Sequence, residues 1–368
     1  MVEYKLKVYK TAINKMKYID GWFWCRYTLN PYGGCEHACI YCDARSQKYY
    51  LHSEFEEIIF VKKNIDKVLE KQMKSAQKDV IAIGGVCDAY QPAENTYQNT
   101  RKCLKVIEKQ GFPVNISTKS NLVLRDLDVL KSIAEKSWCT IAFTITTLDA
   151  EIERFLESGA NTSQKRLEAI QTIKKNTNQI NVGVNFMPIV PFLEDSKENL
   201  ENVIREIKAY GADYVQFAPG MTLRDNQKIN FMEKIHIKYP ELVFKFNELY
   251  QQNMQANYQY VQEKNATLVE LCKKFQLNIR LKRWIPNDYR QLNYKIAELL
   301  LNDSYINQII GKSYTESQWA GLSINNLKKS ILEYYNTGKL LQIENLTPQI
   351  MKSIQPYLKT KGTLEEYF

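Results

Sequence analysis

Short apolar segments alternate with longer amphipathic segments along residues 26–219 of the chain. The apolar segments are five to nine residues long, and most are rich in β-branched side chains, which is typical of buried strands. They cover residues 26–30, 79–87, 113–118, 139–146, 180–188 and 214–219. Apolar residues at intervals of three and four predict helices near residues 64–77, 95–110, 127–136, 163–175 and 197–210. Six strands separated by helices favour right-handed β-α units and a parallel sheet.

Beyond about residue 225 the alternation stops and the pattern is mainly helical, with one short strand predicted at residues 277–281. We therefore predict three segments: a β-α region over residues 1–225, a helical extension over 226–292 and a small helical region over 293–368. No stretch approaches the roughly 18 apolar residues of a membrane span. The first ten residues, MVEYKLKVYK, lack the apolar centre of a signal peptide. We expect a cytoplasmic protein with no membrane association.

The charge of the chain leaves room for a polyanionic partner. Its 50 lysines and arginines exceed its 41 acidic residues, giving a net charge of +9, which permits nucleic acid as a partner. The lysines are scattered along helical segments rather than gathered in a block, so a solvated basic surface is the favoured interpretation.

Three of the eight cysteines stand close together, at Cys35, Cys39 and Cys42, in a C-x3-C-x2-C spacing. Three thiolates within eight residues can converge on one soft metal centre. They are one ligand short of a closed tetrahedral zinc site or of an all-cysteine four-iron cluster, so one coordination position stays open. Zinc would need a fourth ligand, and His37 lies inside the triad, too close in sequence for the usual paired geometry. The other cysteines are dispersed, which fits free thiols in a reducing compartment.

The flanks of the triad carry a resemblance. Tyr41 directly precedes the third cysteine, Asn-Pro-Tyr stands at residues 30–32, and Asp-Ala-Arg stands at residues 43–45. These features resemble the radical S-adenosylmethionine (SAM) superfamily, and in particular its subgroup related to spore photoproduct lyase, often labelled DNA repair photolyase. The resemblance implies an incomplete (β/α)6 TIM-like barrel with a C-terminal α-helical extension. It also implies a [4Fe-4S] cluster on the three cysteines, SAM on the fourth iron, and an electron donor such as flavodoxin or ferredoxin.

Further matches follow the predicted strands, at the ends where parallel barrels carry their chemistry. Residues 88–94 read D-x-Y-Q-P-x-E, which resembles the subgroup's D-P-Y-Q-P-x-E with Ala89 in place of proline. Residues 118–120 match its T-K-S, residues 157–160 stand where it has E-P-G-A, and residues 188–195 resemble its P-I-x-P-x-x-x-D. The order and spacing of these matches make the resemblance specific.

The resemblance implies roles for single residues in SAM binding. Gly84 and Gly85 would receive the amino group of SAM, Lys119 would pair with its carboxylate, and Tyr41 would contact the adenine through its main chain. Each residue also has an ordinary explanation, because a Gly-Gly pair can form a turn and a lysine beside a turn is commonly solvated.

Four more residues follow from the same resemblance. Thr144 would hydrogen-bond SAM and Asn185 would lie near its adenosyl side, although a β-branched strand residue needs no ligand to explain it. Glu157 and Arg166 either bind SAM or pair with each other across the loop, and we favour the structural role for Glu157.

Cys87 is the candidate catalytic residue. Spore photoproduct lyase uses a cysteine near the end of the same strand to return a hydrogen atom to the product radical, and Cys87 lies within a few residues of that place. The ordinary alternative is a small apolar residue that fills a strand end.

The sequence thus predicts a radical SAM enzyme that generates a 5′-deoxyadenosyl radical, with repair of a thymine photoproduct in nucleic acid as the suggested reaction. The alternative is a radical SAM enzyme that modifies a peptide or a small metabolite. A non-catalytic protein with a structural metal site is a third interpretation, but it leaves the strand-end matches unexplained.

Overall fold

A computed structural model describes residues 2–49, 51–52 and 54–359 of the chain. Its strands are β1 (Glu3–Val8), β2 (Ile13–Lys15), β3 (Tyr27–Leu29), β4 (Tyr32–Gly33), β5 (Ile58–Lys63), β6 (Ile81–Ile83), β7 (Val114–Thr118), β8 (Cys139–Thr144), β9 (Asn181–Ile189) and β10 (Tyr214–Pro219). Its α-helices are α1 (Ile65–Met73), α2 (Ala93–Tyr97), α3 (Asn99–Gln110), α4 (Leu127–Lys136), α5 (Ala150–Leu156), α6 (Ser163–Asn176), α7 (Lys197–Ala209), α8 (Asp225–Lys238), α9 (Leu242–Tyr250), α10 (Tyr258–Lys274), α11 (Gln291–Ile309), α12 (Thr315–Asn325), α13 (Ile331–Asn336) and α14 (Pro348–Lys359).

The main sheet has the strand order β10-β9-β8-β7-β6-β3-β2. Its neighbours from β3 to β10 are all parallel, and β2 pairs with β3 in the antiparallel sense. Helices connect the successive parallel strands from β6 to β10. Since β2 and β10 form the two edges, the sheet is open within the described residues. The predicted α/β fold with an incomplete TIM-like barrel of six parallel strands is confirmed.

Side chains of the parallel sheet alternate between an apolar face and a more polar face. One row of the polar face runs through Thr144, Asn185 and Gln216 in β8, β9 and β10. Gly183 and Tyr214 lie side by side in the preceding row, and a Cβ on Gly183 would collide with the ring of Tyr214. The rows between carry buried valine, isoleucine and phenylalanine. Polar side chains on this face therefore continue toward the C-terminal ends of the strands.

A second sheet of order β1-β5-β4 was not predicted from the sequence. In it β1 runs parallel to β5, and β4 pairs with β5 in the antiparallel sense. This sheet borders the segment that carries the three clustered cysteines, because β4 ends at Gly33, two residues before the first of them.

Three predicted elements differ from the structure. The helix expected over residues 95–110 is divided into α2 and α3 at Gln98, whose backbone is left-handed with a φ of 51°. The strand expected over residues 79–87 is shortened to β6, so the residues after it form a loop at the strand end. The prediction of a strand at residues 277–281 is wrong. Among the described residues of this segment, the structure has only an isolated bridge between Asn278 and Tyr214.

The chain divides into two compact units. The first comprises Met1–Lys15 and Tyr27–Leu281, and the second comprises Met16–Arg26 and Lys282–Phe368. Apolar residues of α11, α12 and α14 form the core of the second unit. This partition differs from the three segments predicted above, and those segments stay a prediction. Residues 1, 50, 53 and 360–368 of them lie outside the described part of the chain. Among the described residues, none of the helices combines the length and apolar character needed to cross a bilayer.

Gly183→Ala tests the packing of the polar face. The new methyl group would collide with the ring of Tyr214, and overpacking of this kind costs about 1–3 kcal/mol. We expect urea denaturation to show a loss of unfolding free energy in this range. Gly85→Ala is the control, because a Cβ there meets nothing within 4 Å. Equal stability of the two variants would contradict the tight packing.

Candidate metal centre and cofactor pocket

Cys35, Cys39 and Cys42 lie on one loop that follows β4 and turns back on itself. The amide of Ala38 donates to the carbonyl of Cys35 over 3.4 Å, and the amide of Cys42 donates to the carbonyl of Cys39 over 3.2 Å. Ala38 has a left-handed backbone with a φ of 52°. Cys42 packs in one apolar cluster with Cys39 and in another with Cys35. Tight turns therefore gather the three thiols predicted to act together.

The chemistry of this donor set fits a four-iron cluster. All three cysteines are free of disulfides, and burial raises the pKa of each thiol, that of Cys39 to about 12. Buried thiols become thiolates when they bind metal cations. In such a cluster each thiolate binds a different iron, so the sulfurs need not meet at one point. Within the described residues, no group of three or more histidine, cysteine, aspartate or glutamate side chains is arranged to hold a single metal ion.

The last part of the connection from β4 to β5, just before β5, packs against the start of the cysteine loop. The amide of Cys35 donates to the carbonyl of Phe55 over 2.7 Å. Gly34 has a φ of +100°, and a Cβ on it would stand 2.7 Å from the carbonyl oxygens of Phe55 and Ile58. Only glycine combines this backbone conformation with so close an approach.

The loop after β6 holds the cysteine loop from another side. Gln91 is fully buried, and its Nε2 donates to the carbonyl of Gly34 over 3.0 Å while its Oε1 accepts from the amide of Glu36 over 3.1 Å. The amide of Ala93 donates to the Glu36 carboxylate over 2.7 Å. Residues of the D-x-Y-Q-P-x-E segment thus form hydrogen bonds on both sides of Cys35, a role that the sequence analysis did not assign.

A buried group of charges lies beside the triad. Arg166 Nη2 is 2.6 Å from Glu157 Oε2, and Tyr41 donates its hydroxyl to the same carboxylate. Lys119 Nζ lies 3.9 Å from Glu157 Oε1 and 5.6 Å from the ring centre of Tyr41. Arg166 Nη2 also lies 3.8 Å from Glu153 Oε1, so the two cations face two carboxylates. Burial raises the pKa of the Cys39 thiol, and the charges of Lys119 and Arg166 act in the opposite direction.

Electrostatics keep Glu157 ionised despite its burial. Burial alone raises the pKa of this carboxyl, but Arg166 and Lys119 together hold the pKa below its usual range. Arg166 also donates to the carbonyl of Thr144 over 2.7 Å. The predicted pairing of Glu157 with Arg166 is present, and it ties the loop after α5 to the end of β8.

The remaining predicted cofactor residues lie directly after β6 and within β8 and β9. Gly84 follows β6 with a φ of +88°, and a Cβ on it would collide with the carbonyl oxygen of Ser117. Gly85 has open space around its Cα. Asn185 donates to Ser117 Oγ over 3.2 Å, and its buried Oδ1 has no hydrogen-bond partner within the described residues. Thr144 stands opposite Asn185 in the sheet register.

Cys87 packs against the cysteine loop. Its side chain is 2% exposed and shares an apolar cluster with Cys35, Cys42 and Phe55. Burial raises the pKa of the Cys87 thiol to about 12, so the sulfur keeps its proton at neutral pH.

Glu194 is a buried carboxyl that the sequence analysis missed. Its Oε2 accepts from the amide of Val190 over 2.8 Å, while its Oε1 has no hydrogen-bond partner within the described residues. Burial raises the pKa of Glu194 to about 8, and the Glu157 carboxylate is among the groups that act on it. The only signal in the sequence is an acidic residue within the apolar run VPFLED.

The sequence of the chain is similar to known proteins. The family model described as the Radical SAM superfamily matches residues 29–207. The uncharacterized protein Rv2578c of Mycobacterium tuberculosis is 33% identical over 258 residues, covering 68% of this chain and 75% of the relative. The uncharacterized protein MJ0683 of Methanocaldococcus jannaschii is 31% identical over 234 residues, covering 63% of this chain and 82% of the relative.

Among solved structures, a spore photoproduct lyase mutant with bound AdoMet and dinucleoside spore photoproduct aligns with a TM-score of 0.56 at 15% identity. The alignment covers 74% of this chain and 79% of that chain. At this identity the likeness concerns the fold.

Replacement of the clustered cysteines tests the metal centre. We expect Cys35→Ala, Cys39→Ala and Cys42→Ala each to abolish bound iron and acid-labile sulfide after anaerobic reconstitution, because each thiolate holds its own iron. Cys139→Ala is the control, since Cys139 lies in β8, outside the cysteine loop, and is also buried and free. A triad variant with full iron and sulfide content would contradict the assignment.

Proposed function

Because the chain belongs to the radical SAM superfamily, whose members use a [4Fe-4S] cluster and SAM, we propose that Cys35, Cys39 and Cys42 hold this cluster. When bound, the cluster and SAM supply a 5′-deoxyadenosyl radical that abstracts hydrogen from the substrate. The observation that carries the assignment is a pair of cations, the partly exposed Lys119 and the buried Arg166, beside the three thiols of the cysteine loop. The chain's residues bind, orient and shield the reacting groups.

Lys119 is the cation available for the carboxylate of SAM. Glu157 already pairs with Arg166 at 2.6 Å and accepts the hydroxyl of Tyr41. The distance of 3.9 Å from Lys119 Nζ to Glu157 is at the outer limit of an ion pair, so the ammonium group can turn toward a ligand. Burial strengthens such a contact, because little water competes for the charge.

Four other residues complete the proposed SAM pocket. Gly84 and Gly85 line the amino end of SAM with backbone, since neither carries a side chain that would block close approach. The unpartnered Oδ1 of Asn185 is suited to accept a hydrogen bond from the adenosyl part, and Thr144 stands beside it in the sheet. Tyr41 contacts the adenine through its main chain.

We propose a thymine photoproduct in nucleic acid as the substrate and assign the enzyme to the lyase class. The motif matches over residues 30–195 support this choice. So does the fold shared with spore photoproduct lyase, which holds a dinucleoside spore photoproduct in the structure compared above. The net charge of +9 suits a polyanionic substrate. A reductant such as flavodoxin or ferredoxin in the cytoplasm supplies the electron.

Cys87 is proposed to return a hydrogen atom to the product radical. Its thiol stays protonated at neutral pH, and its side chain packs directly beside two proposed cluster ligands. Both properties suit a donor of hydrogen from a weak S–H bond.

Lys119→Ala tests the SAM pocket. A hydrogen bond to a charged group contributes about 1.5–3 kcal/mol, so we expect the dissociation constant for SAM to rise about 10- to 100-fold in anaerobic calorimetry. Lys136→Ala is the matched control, because Lys136 pairs with Glu108 on the surface. Unchanged affinity in Lys119→Ala would refute the placement.

The substrate assignment is tested with the reduced enzyme, SAM and a dinucleoside spore photoproduct. We expect the wild type to restore two thymidines, and Cys87→Ala to cleave SAM but divert the product radical to side products. Cys139→Ala should behave as the wild type.

Cleavage of SAM by the wild type without repair would reject the photoproduct and favour a peptide or metabolite. An unchanged product distribution in Cys87→Ala would show that this thiol only fills space.

A further inference from the structure

The buried carboxylate of Asp88 lies between the cysteine loop and the end of β7. Asp88 lies in the loop after β6 and is 9% exposed. Its Oδ1 accepts from Thr118 Oγ1 and from the amide of Tyr90, each over 2.8 Å. Its Oδ2 accepts from the amide of Lys119 over 2.7 Å. Asp88 therefore fixes the main chain at the position from which the Lys119 side chain projects.

The same oxygen also reaches the cysteine loop. His37 is 3% exposed, and its Nδ1 faces Asp88 Oδ2 at 3.3 Å, within ion-pair distance but without the geometry of a hydrogen bond. His37 stands between Cys35 and Cys39, two residues from each. Asp88 Oδ2 thus contacts both the loop that carries the thiols and the backbone that carries Lys119.

Most other contacts of the cysteine loop do not reach Lys119. Gln91 bonds to the backbone of Gly34 and Glu36, and the amide of Gly159 donates to the carbonyl of His37 over 3.1 Å. Tyr41 does reach the Lys119 side chain, because both contact the Glu157 carboxylate. The His37–Asp88 contact differs from it, because Asp88 accepts from the main chain of Lys119.

We propose that His37 and Asp88 are positioning residues that set the distance between the cluster and Lys119. With this distance fixed, the amino-acid part of SAM can contact the cluster and Lys119 at the same time. This inference rests on the proposed function, in which Lys119 binds the carboxylate of SAM. A SAM molecule held at the cluster and at Lys119 spans a fixed length, so a small displacement of either anchor weakens binding.

The test compares His37→Leu with His37→Asn. Leucine removes the nitrogen that faces Asp88, whereas the amide nitrogen of asparagine lies near the position of Nδ1 and restores a donor. We expect His37→Leu to retain iron and sulfide but to bind SAM about tenfold more weakly, and to lose the change that SAM causes in the electron paramagnetic resonance spectrum of the reduced cluster. His37→Asn should recover both properties.

A second measurement tests, without SAM, whether His37 helps to hold the backbone at Lys119. Amide hydrogen exchange in the reconstituted protein should become faster at Lys119 in His37→Leu, because Asp88 loses one of the groups that hold it. Asp128→Asn is the control, since this exposed carboxylate pairs with Arg101 away from the loop.

The results distinguish a failure of the proposed function from a failure of the positioning role alone. No spectral effect of SAM on the wild type would overturn the proposed function, and this inference with it. A wild-type response that persists in His37→Leu with unchanged affinity would overturn only the positioning role, as would a His37→Asn variant no better than His37→Leu. If His37→Leu loses the cluster, Asp88→Asn takes its place, and an unchanged SAM response in that variant would overturn the positioning role.

Discussion

The cysteine loop is held in shape by buried polar groups that belong to other segments. Irregular backbone leaves amide and carbonyl groups without the partners that a helix or strand supplies, and each such group left buried and unpaired costs about 1–3 kcal/mol. Gln91 satisfies two of these groups, and the carbonyl of Phe55 satisfies the amide of Cys35. Phe55 lies some twenty residues further along the same connection between β4 and β5, and Gln91 lies in the loop after β6. The arrangement of the three thiols therefore depends on prior assembly of the strands.

The buried charges beside this loop are better explained by function than by stability. Replacing a buried ion pair by apolar residues is often neutral or stabilising, whereas removing one partner costs about 3–5 kcal/mol. A fold that needed only stability could fill the space around Glu157 and Arg166 with leucine and methionine. Instead it places Arg166 beside Glu157 and Glu153, and it holds Lys119 at 3.9 Å from Glu157, next to three thiols. The long contact of the Lys119 ammonium leaves that group suited to an anionic ligand, and the carboxylate of SAM is the ligand group proposed here.

Local patterns in the sequence predicted much of this architecture. The six parallel strands and the helices between them follow from hydrophobic periodicity, which depends only on near neighbours in the chain. The C-x3-C-x2-C spacing likewise identified the thiols that the loop gathers. Features built from distant segments were missed. The sheet of β1, β5 and β4 pairs Glu3 with Ile58 and Tyr32 with Val61. Residues 16–26 belong with a unit that resumes only at Lys282.

The missed site residues share the same physical reason. A glutamine, a histidine or an aspartate at a strand end can pair with any nearby donor or acceptor, so residue type alone does not identify its partner. The partner is decided by sheet register. Since Ile83 pairs with Ile116, the chains leaving β6 and β7 emerge side by side, which brings Asp88 to the amide of Lys119. The cysteine loop leaves the neighbouring strand β3 by way of β4, and so His37 can meet the same carboxylate. The strand order thus determines which polar residues form the site, although each of them is unremarkable in its own stretch of sequence.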